Sequence, residues 1–161
     1  MKILVPVDGS VSSVNAVKKS IEIAQKYNSA VKLINVISPD VSRTFRRNKQ
    51  FWRQVDGSII SGKSKAIRND EIPKDMLEDS DELLNSIVSK LDLGDIEVSK
   101  QVLIGEPYTC ILETAEDENF DLIVIGNRGF SNIKNFFLGS VAQRVISESK
   151  CPVLVIHTDA D

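Results

Sequence analysis

The sequence has little of what metal, disulfide-linked or membrane proteins require. One histidine and two cysteines, Cys110 and Cys151, stand among 161 residues, too few for a cluster of metal-binding imidazoles or a disulfide framework. The longest apolar runs, LIVIG and PVLVI, are far shorter than the roughly 20 residues of a membrane-spanning helix. The chain enters a strand-like run at once, MKILVPV, which leaves no room for a signal peptide. We therefore expect a cytoplasmic protein without a structural zinc site.

An excess of charge of one sign is also missing. Twenty basic side chains against 23 acidic ones give a net charge of −3, so no global positive field attracts nucleic acid or anionic lipid. Hydrophobic residues make up 42% and charged residues 27% of the chain, the balance of a globular protein. This length suits one compact domain, which we expect to span residues 1–161.

Short runs rich in Val and Ile alternate with segments in which apolar residues recur every three or four positions, the spacing of a helix face. The predicted strands are residues 2–7, 30–37, 96–104, 121–126 and 152–157, and the predicted helices are a segment from residue 11 and residues 77–91, 107–119 and 139–149. Strands that are apolar at nearly every position indicate burial on both faces, as in a parallel sheet covered by helices. We expect a single doubly wound, Rossmann-like α/β domain with five strands in the order 3-2-1-4-5.

One connection, residues 38–74, is too long for this fold and is predicted to be a polar insertion. Its residues 43–53 interleave five basic side chains with Phe45, Phe51 and Trp52. This stretch suits single-stranded nucleic acid, a protein partner, a lid over a ligand, or a loop anchored on its own domain by its aromatic residues. The acidic balance of the whole chain argues against tight binding of nucleic acid.

Two motifs follow the strands between which the predicted winding reverses, where open α/β sheets bind ligands. Asp8 follows strand 1, Gly126 and Gly129 lie at and after the end of strand 4, and Gly139 and Ser140 open the last helix after nine intervening residues. Glycines let backbone amides approach an anion closely, and a helix start adds unpaired N–H groups. The spacing predicts a phosphate site that is neither a GxxxxGK[ST] loop nor a GxGxxG turn.

Each of these residues also has a purely structural interpretation. The three glycines can form a turn and a helix start. The Asp8 turn can begin helix 1 with Ser10 as its cap, a role that is compatible with ligand contact. Arg128 suits a phosphate oxygen or a solvated loop equally well.

The sequence resembles the universal stress protein family, and in particular its ATP-binding members. The resemblance rests on KILVPVDGS at the start, GEP at residues 105–107, DLIVIGNRG at 121–129 and GSVAQRVISESKCPVLVIH at 139–157. The spacing G-2x-G-9x-G-(S/T) marks the ATP-binding members. The long insertion departs from the family pattern and neighbours the implied adenine pocket.

The resemblance implies a site for ATP, commonly accompanied by a divalent ion such as Mg²⁺ or Mn²⁺. It places the adenine against Pro6, Val7 and Val36, and the ribose against Asp8 and Gly126. The implied phosphate contacts are Asn127, Arg128, Gly129, Phe130, Ser131, Asn132, Gly139, Ser140, Val141 and Ala142. It also implies a homodimer through the last strand, Val153, Leu154, Val155 and Ile156, because an edge strand leaves backbone groups unpaired.

The sequence offers no convincing catalytic set. It has no P-loop lysine, and a single histidine, His157, does not assemble a Ser-His-Asp or Cys-His set with Cys110 or Cys151, which we expect to be small buried apolar groups. We expect an ATP-binding stress-response or regulatory protein that acts as a nucleotide-dependent switch, with at most weak ATPase activity. The alternatives are a nucleotide hydrolase in which Asp8 and a metal act, and a nucleotide-free interaction module.

Overall fold

The computed structural model describes residues 1–38, 74–129 and 138–157. Within these ranges strands and helices alternate along the chain, as predicted. They are β1 (Lys2–Pro6), α1 (Val11–Tyr27), β2 (Ala30–Ile37), α2 (Lys74–Ser89), β3 (Val98–Ile104), α3 (Pro107–Asp117), β4 (Leu122–Gly126), α4 (Ser140–Glu148) and β5 (Val153–Ile156). All but the two end residues of the predicted insertion lie outside the described residues.

The strands form one parallel sheet in the order β3-β2-β1-β4-β5, which confirms the predicted doubly wound topology. Strand β1 lies at the centre, with Ile3 opposite Val31 of β2 and Leu122 of β4. The winding reverses between β1 and β4, so the segments that leave these two strands meet at the carboxyl edge of the sheet.

Both faces of the sheet are buried. Successive residues of a strand point to opposite sides of the sheet, so each face contributes its own set of side chains to the core. Ile3 and Val5 of β1 pack with residues of α1 and α2 on one face. Leu4 of β1 and Ile123 of β4 pack with residues of α3 and α4 on the other. This two-sided burial is why the central strands are apolar at consecutive positions.

The helix boundaries differ from the predictions by a few residues, for identifiable reasons. Helix α1 starts as predicted, since the Ser10 hydroxyl accepts a hydrogen bond from the Ser13 backbone N–H at 3.2 Å. Helix α4 starts one residue later than predicted, because Gly139 has extended backbone and is its N-cap. Among the described residues, no helix has the length and apolar character needed to cross a membrane.

Candidate functional site

The predicted site lies at the carboxyl edge of the sheet, where the turn after β1 meets the loop after β4. The Ser10 hydroxyl oxygen lies 3.3 Å from the Arg128 carbonyl oxygen across this junction. The Asp8 carboxylate lies beside Gly129, since a methyl group on that glycine would stand 2.6 Å from Asp8 Oδ2. The fold thus brings together two motifs that are separated by more than 100 residues in sequence.

Asp8 organises the turn that begins α1. Its Oδ1 accepts hydrogen bonds from the Ser10 backbone N–H at 2.9 Å and from the Ser10 hydroxyl at 2.6 Å, and Gly9 between them has a left-handed φ of 86° that suits glycine. The structural interpretation of Asp8 is therefore confirmed. That role uses Oδ1, whereas Oδ2 faces the glycine loop.

Gly126 is required by packing against the backbone of Ser12, and Gly129 lies close to the Asp8 side chain. A methyl group on Gly126 would lie 2.6 Å from Ser12 Oγ and 2.7 Å from the Ser12 carbonyl carbon, both far inside van der Waals contact. A methyl group on Gly129 would meet Asp8 Oδ2. The loop therefore fits tightly against the start of α1, a constraint that the spacing of the glycines did not reveal.

Gly139 differs from these two glycines. A methyl group there would be 3.6 Å from its nearest neighbours, the Arg128 Cα and the Asn127 carbonyl oxygen, which is ordinary contact. Its φ of −71° is open to any residue. Neither the packing nor the backbone of the described residues explains why this position is glycine.

The start of α4 presents unpaired backbone amides. The first bond of the helix runs from the Gln143 N–H to the Gly139 carbonyl at 2.9 Å, so the amides of Ser140, Val141 and Ala142 have no acceptor within the helix. The N-cap residue has no side chain to supply one. The Gly139 N–H donates to the Asn127 carbonyl at 2.7 Å, which holds this positive helix end against the glycine loop.

Arg128 adds a charged group to the same edge. The side chain is half-buried, and its Nε is shielded from solvent with no hydrogen-bond partner among the described residues. A buried guanidinium nitrogen without an acceptor is costly unless an anion completes it. The arrangement of loop, arginine and helix start favours a negatively charged ligand.

The predicted adenine contacts lie at the ends of β1 and β2. The Val7 N–H donates to the Ile34 carbonyl at 2.8 Å, and the Val7 carbonyl accepts from Asn35 Nδ2 at 2.7 Å. The side chains of Val7 and Val36 pack on opposite faces of the sheet, and Pro6 is half-buried at the end of β1. Asn35 escaped the sequence analysis because an isolated polar residue in a strand carries no motif.

Three predicted phosphate contacts lie outside the described residues: Phe130, Ser131 and Asn132. Both cysteines are half-buried, so they are less buried than predicted. Burial raises the pKa of the Cys110 thiol above its ordinary value, and the nearby Glu113 raises it further, which disfavours the reactive thiolate.

Two further features concern metal binding and cavities in the described part of the chain. Within residues 1–38, 74–129 and 138–157, no three His, Cys, Asp or Glu side chains come together as a metal site. A hollow of about 300 Å³ is lined by Leu112, Phe120, Lys150 and Cys151, among others. It lies at the amino ends of β4 and β5, remote from the glycine loop.

Comparison with known proteins identifies the family of this chain. The model of the universal stress protein family matches residues 1–51 and 54–157. The chain belongs to the universal stress protein family. Two relatives of this universal stress protein come from Methanocaldococcus jannaschii. Universal stress protein MJ0531 is 32% identical over 96% of this chain and 81% of its own length, and MJ0577 is 29% identical over 96% and 93%.

Solved structures of other universal stress proteins have the same fold. The structure of MJ0577 covers 99% of this chain and 97% of its own, with a TM-score of 0.75 and 26% identity. A universal stress protein in complex with cAMP covers 99% and 98% at a TM-score of 0.62 and 23% identity. A family member from Arabidopsis thaliana with AMP bound covers 100% and 94% at 0.62 and 19%.

Proposed function

We propose that this universal stress protein binds an adenine nucleotide, with ATP as the preferred ligand, at the carboxyl edge of β1 and β4. The observation that carries the proposal is the start of α4, where three amides without helical acceptors lie behind a glycine that the described residues do not require. Phosphate oxygens are the ligand that such a helix start favours. The cAMP and AMP bound by two structural neighbours support an adenine nucleotide.

In this proposal the phosphates contact the backbone of the loop and of α4. The amides of Ser140, Val141 and Ala142 donate to phosphate oxygens, and the absence of a side chain at Gly139 lets them approach. Arg128 pairs with a further oxygen, which satisfies its buried Nε. Asn127, Gly129 and the predicted residues Phe130, Ser131 and Asn132 complete the loop.

The nucleoside lies toward β1 and β2. Asp8 keeps Oδ1 for its turn and offers Oδ2 to the ribose hydroxyls, beside Gly126. Pro6, Val7 and Val36 border the adenine. The Val7 carbonyl is already an acceptor for Asn35, which leaves its second lone pair for the base.

A divalent ion, Mg²⁺ or Mn²⁺, fits as a companion of the phosphates. Mg²⁺ commonly takes most of its ligands from phosphates and water, with one or two from protein. The Ser140 hydroxyl would be the protein ligand beside the phosphate oxygens, and no three-residue acidic, His or Cys cluster lies in the described part of the chain. The ion would neutralise phosphate charge.

We further propose that the protein acts as a nucleotide-dependent regulatory switch with slow or no hydrolysis. Fast phosphoryl transfer needs an oriented water and a stabilised leaving group. Here Asp8 Oδ1 is committed to Ser10, which favours an anchoring role over that of a general base. The competing proposal is a hydrolase that uses Asp8 and the ion.

The test is mass spectrometry of the nucleotide released on denaturing the purified protein, followed by calorimetric titration with ATP, ADP, AMP, cAMP and GTP. We expect ATP or a close adenine relative to be released, and binding of ATP to exceed that of GTP by at least tenfold, or about 1.4 kcal/mol. Steady accumulation of ADP during incubation would favour the hydrolase. No released ligand and no calorimetric signal would favour the nucleotide-free interaction module.

We also propose a homodimer that forms through β5, an edge strand. The carbonyls of Pro152 and Ile156 accept from β4, so the alternation along the strand turns the backbone groups of Val153 and Val155 away from β4. Such an edge is open to a second copy of the chain. The contact between the two β5 strands would include the side chains of Val153, Leu154, Val155 and Ile156.

Sedimentation equilibrium tests the dimer. Val155→Pro removes an outward N–H from β5, and we expect it to convert a dimer into a monomer. Lys100→Pro makes the matched change at an outward position of β3, the opposite edge, and should leave the dimer intact. A wild-type protein that sediments as a monomer at micromolar concentration contradicts the proposal.

A further inference from the structure

A chain of polar side chains crosses the base of the glycine loop and connects α1 with the end of β5. The Ser12 hydroxyl contacts Asn127 Oδ1 at 2.8 Å, and Asn127 Nδ2 lies 3.3 Å from His157 Nδ1. Ser12 and Asn127 are buried, whereas His157 is exposed. The nucleotide proposal uses Asn127 alone of these three residues.

The geometry indicates the direction of the hydrogen bonds. Ser12 Oγ has one proton and two possible acceptors, Asn127 Oδ1 at 2.8 Å and the Ile156 carbonyl at 3.4 Å, and the shorter contact takes it. Asn127 therefore presents its NH₂ group to His157. The His157 Nδ1 then accepts, so the neutral imidazole carries its proton on Nε2.

The backbone of Asn127 connects both halves of the proposed phosphate site. Its N–H donates to the Ile156 carbonyl at 2.9 Å, and its carbonyl accepts from Gly139 at 2.7 Å. Ser12 Oγ additionally lies 3.4 Å from the Arg128 N–H. A displacement of the Asn127 backbone would therefore move the loop and the start of α4 together.

We propose that Ser12 is a positioning residue, which acts through the Asn127 side chain to hold the loop and the start of α4 in the orientation that binds phosphate. The proposal rests on the nucleotide-binding function above. Ser12 itself need not touch the ligand. Anchoring at two opposite ends, by Ser12 and by His157, restricts the Asn127 side chain more than either contact alone, and pre-organisation of this kind increases affinity.

The first test compares the ATP affinity of two serine variants. Ser12→Ala removes the hydroxyl, and we expect ATP to bind about tenfold more weakly. Ser20→Ala is the matched control, since Ser20 is a buried serine on the same helix whose hydroxyl donates to the local Ala16 carbonyl; its ATP affinity should equal that of the wild type. Both affinities are measured by calorimetry at a temperature at which each variant is folded.

The second test follows His157, which is the only histidine of the chain and so gives one unambiguous set of imidazole signals in ¹⁵N NMR. We expect the neutral ring of the free wild-type protein and of Ser20→Ala to be in the Nε2–H form. Ser12→Ala removes the hydroxyl that orients Asn127 Oδ1, and we expect both tautomers to appear. A merely structural loss of stability would not change the tautomer.

The outcomes separate this proposal from the function on which it rests. Weaker ATP binding together with mixed tautomers supports the positioning role. Wild-type affinity in Ser12→Ala overturns it, as does weaker binding with an unchanged His157 signal. A wild-type protein that binds no nucleotide overturns the proposed function and the phosphate role of Ser12 together, and is recognised by the calorimetry of the wild type alone.

Discussion

Gly139→Val is expected to weaken ATP binding by at least 100-fold, or about 2.7 kcal/mol, with the fold retained. A side chain at this position projects from the N-cap of α4, in front of the three amides that are proposed to donate to phosphate. A branched side chain there would hold phosphate oxygens away from these donors. Calorimetric titration with ATP measures the effect, and circular dichroism monitors the fold.

Gly139→Ala tests the effect on ATP affinity with a smaller side chain and also serves as the control. Its methyl group makes only ordinary contacts in the protein, at 3.6 Å or more, so the free energy of unfolding should stay within about 1 kcal/mol of the wild type, the usual cost of alanine at an N-cap. ATP affinity should nevertheless fall about tenfold, or about 1.4 kcal/mol. ATP affinity equal to that of the wild type in both variants would contradict the proposed phosphate site.

Gly126→Ala is expected to destabilise the protein by about 3 kcal/mol, the upper part of the range for overpacking. The added methyl group would lie 2.6 Å from Ser12 Oγ and 2.7 Å from the Ser12 carbonyl carbon. A side-chain oxygen can rotate away, but the carbonyl carbon belongs to the first turn of α1, so the helix or β4 must shift. Urea denaturation gives the change in the free energy of unfolding.

Gly139→Ala serves as the matched control for this measurement too, because it places the same methyl group at the same edge of the sheet without a close contact. The two variants should separate stability from ligand binding. If Gly126→Ala unfolds at the same urea concentration as Gly139→Ala, the tight packing of the loop against α1 is wrong.

The sequence determined the fold because its signals are local. Apolar runs, helical spacing and a capping serine at Ser10 depend on neighbours within a few residues, and the predicted strand order followed from the alternation of strands and helices. The position of the proposed site followed from the same topology, since a doubly wound sheet has one reversal of its winding. The resemblance of four segments to universal stress proteins led to the family to which the chain belongs.

The tertiary structure alone decided what each glycine does. In sequence Gly126, Gly129 and Gly139 are equivalent marks of one motif. In the fold, Ser12 occupies the space beside Gly126 and Asp8 occupies the space beside Gly129. A methyl group on Gly139 would make only ordinary contacts with the described residues. The connection of Ser12, Asn127 and His157 was equally hidden, because Ser12 lies on α1 and the other two directly follow β4 and β5, which meet only when β4 is inserted between β1 and β5. Contacts between distant parts of a chain leave no periodic trace in its sequence, and packing decides them.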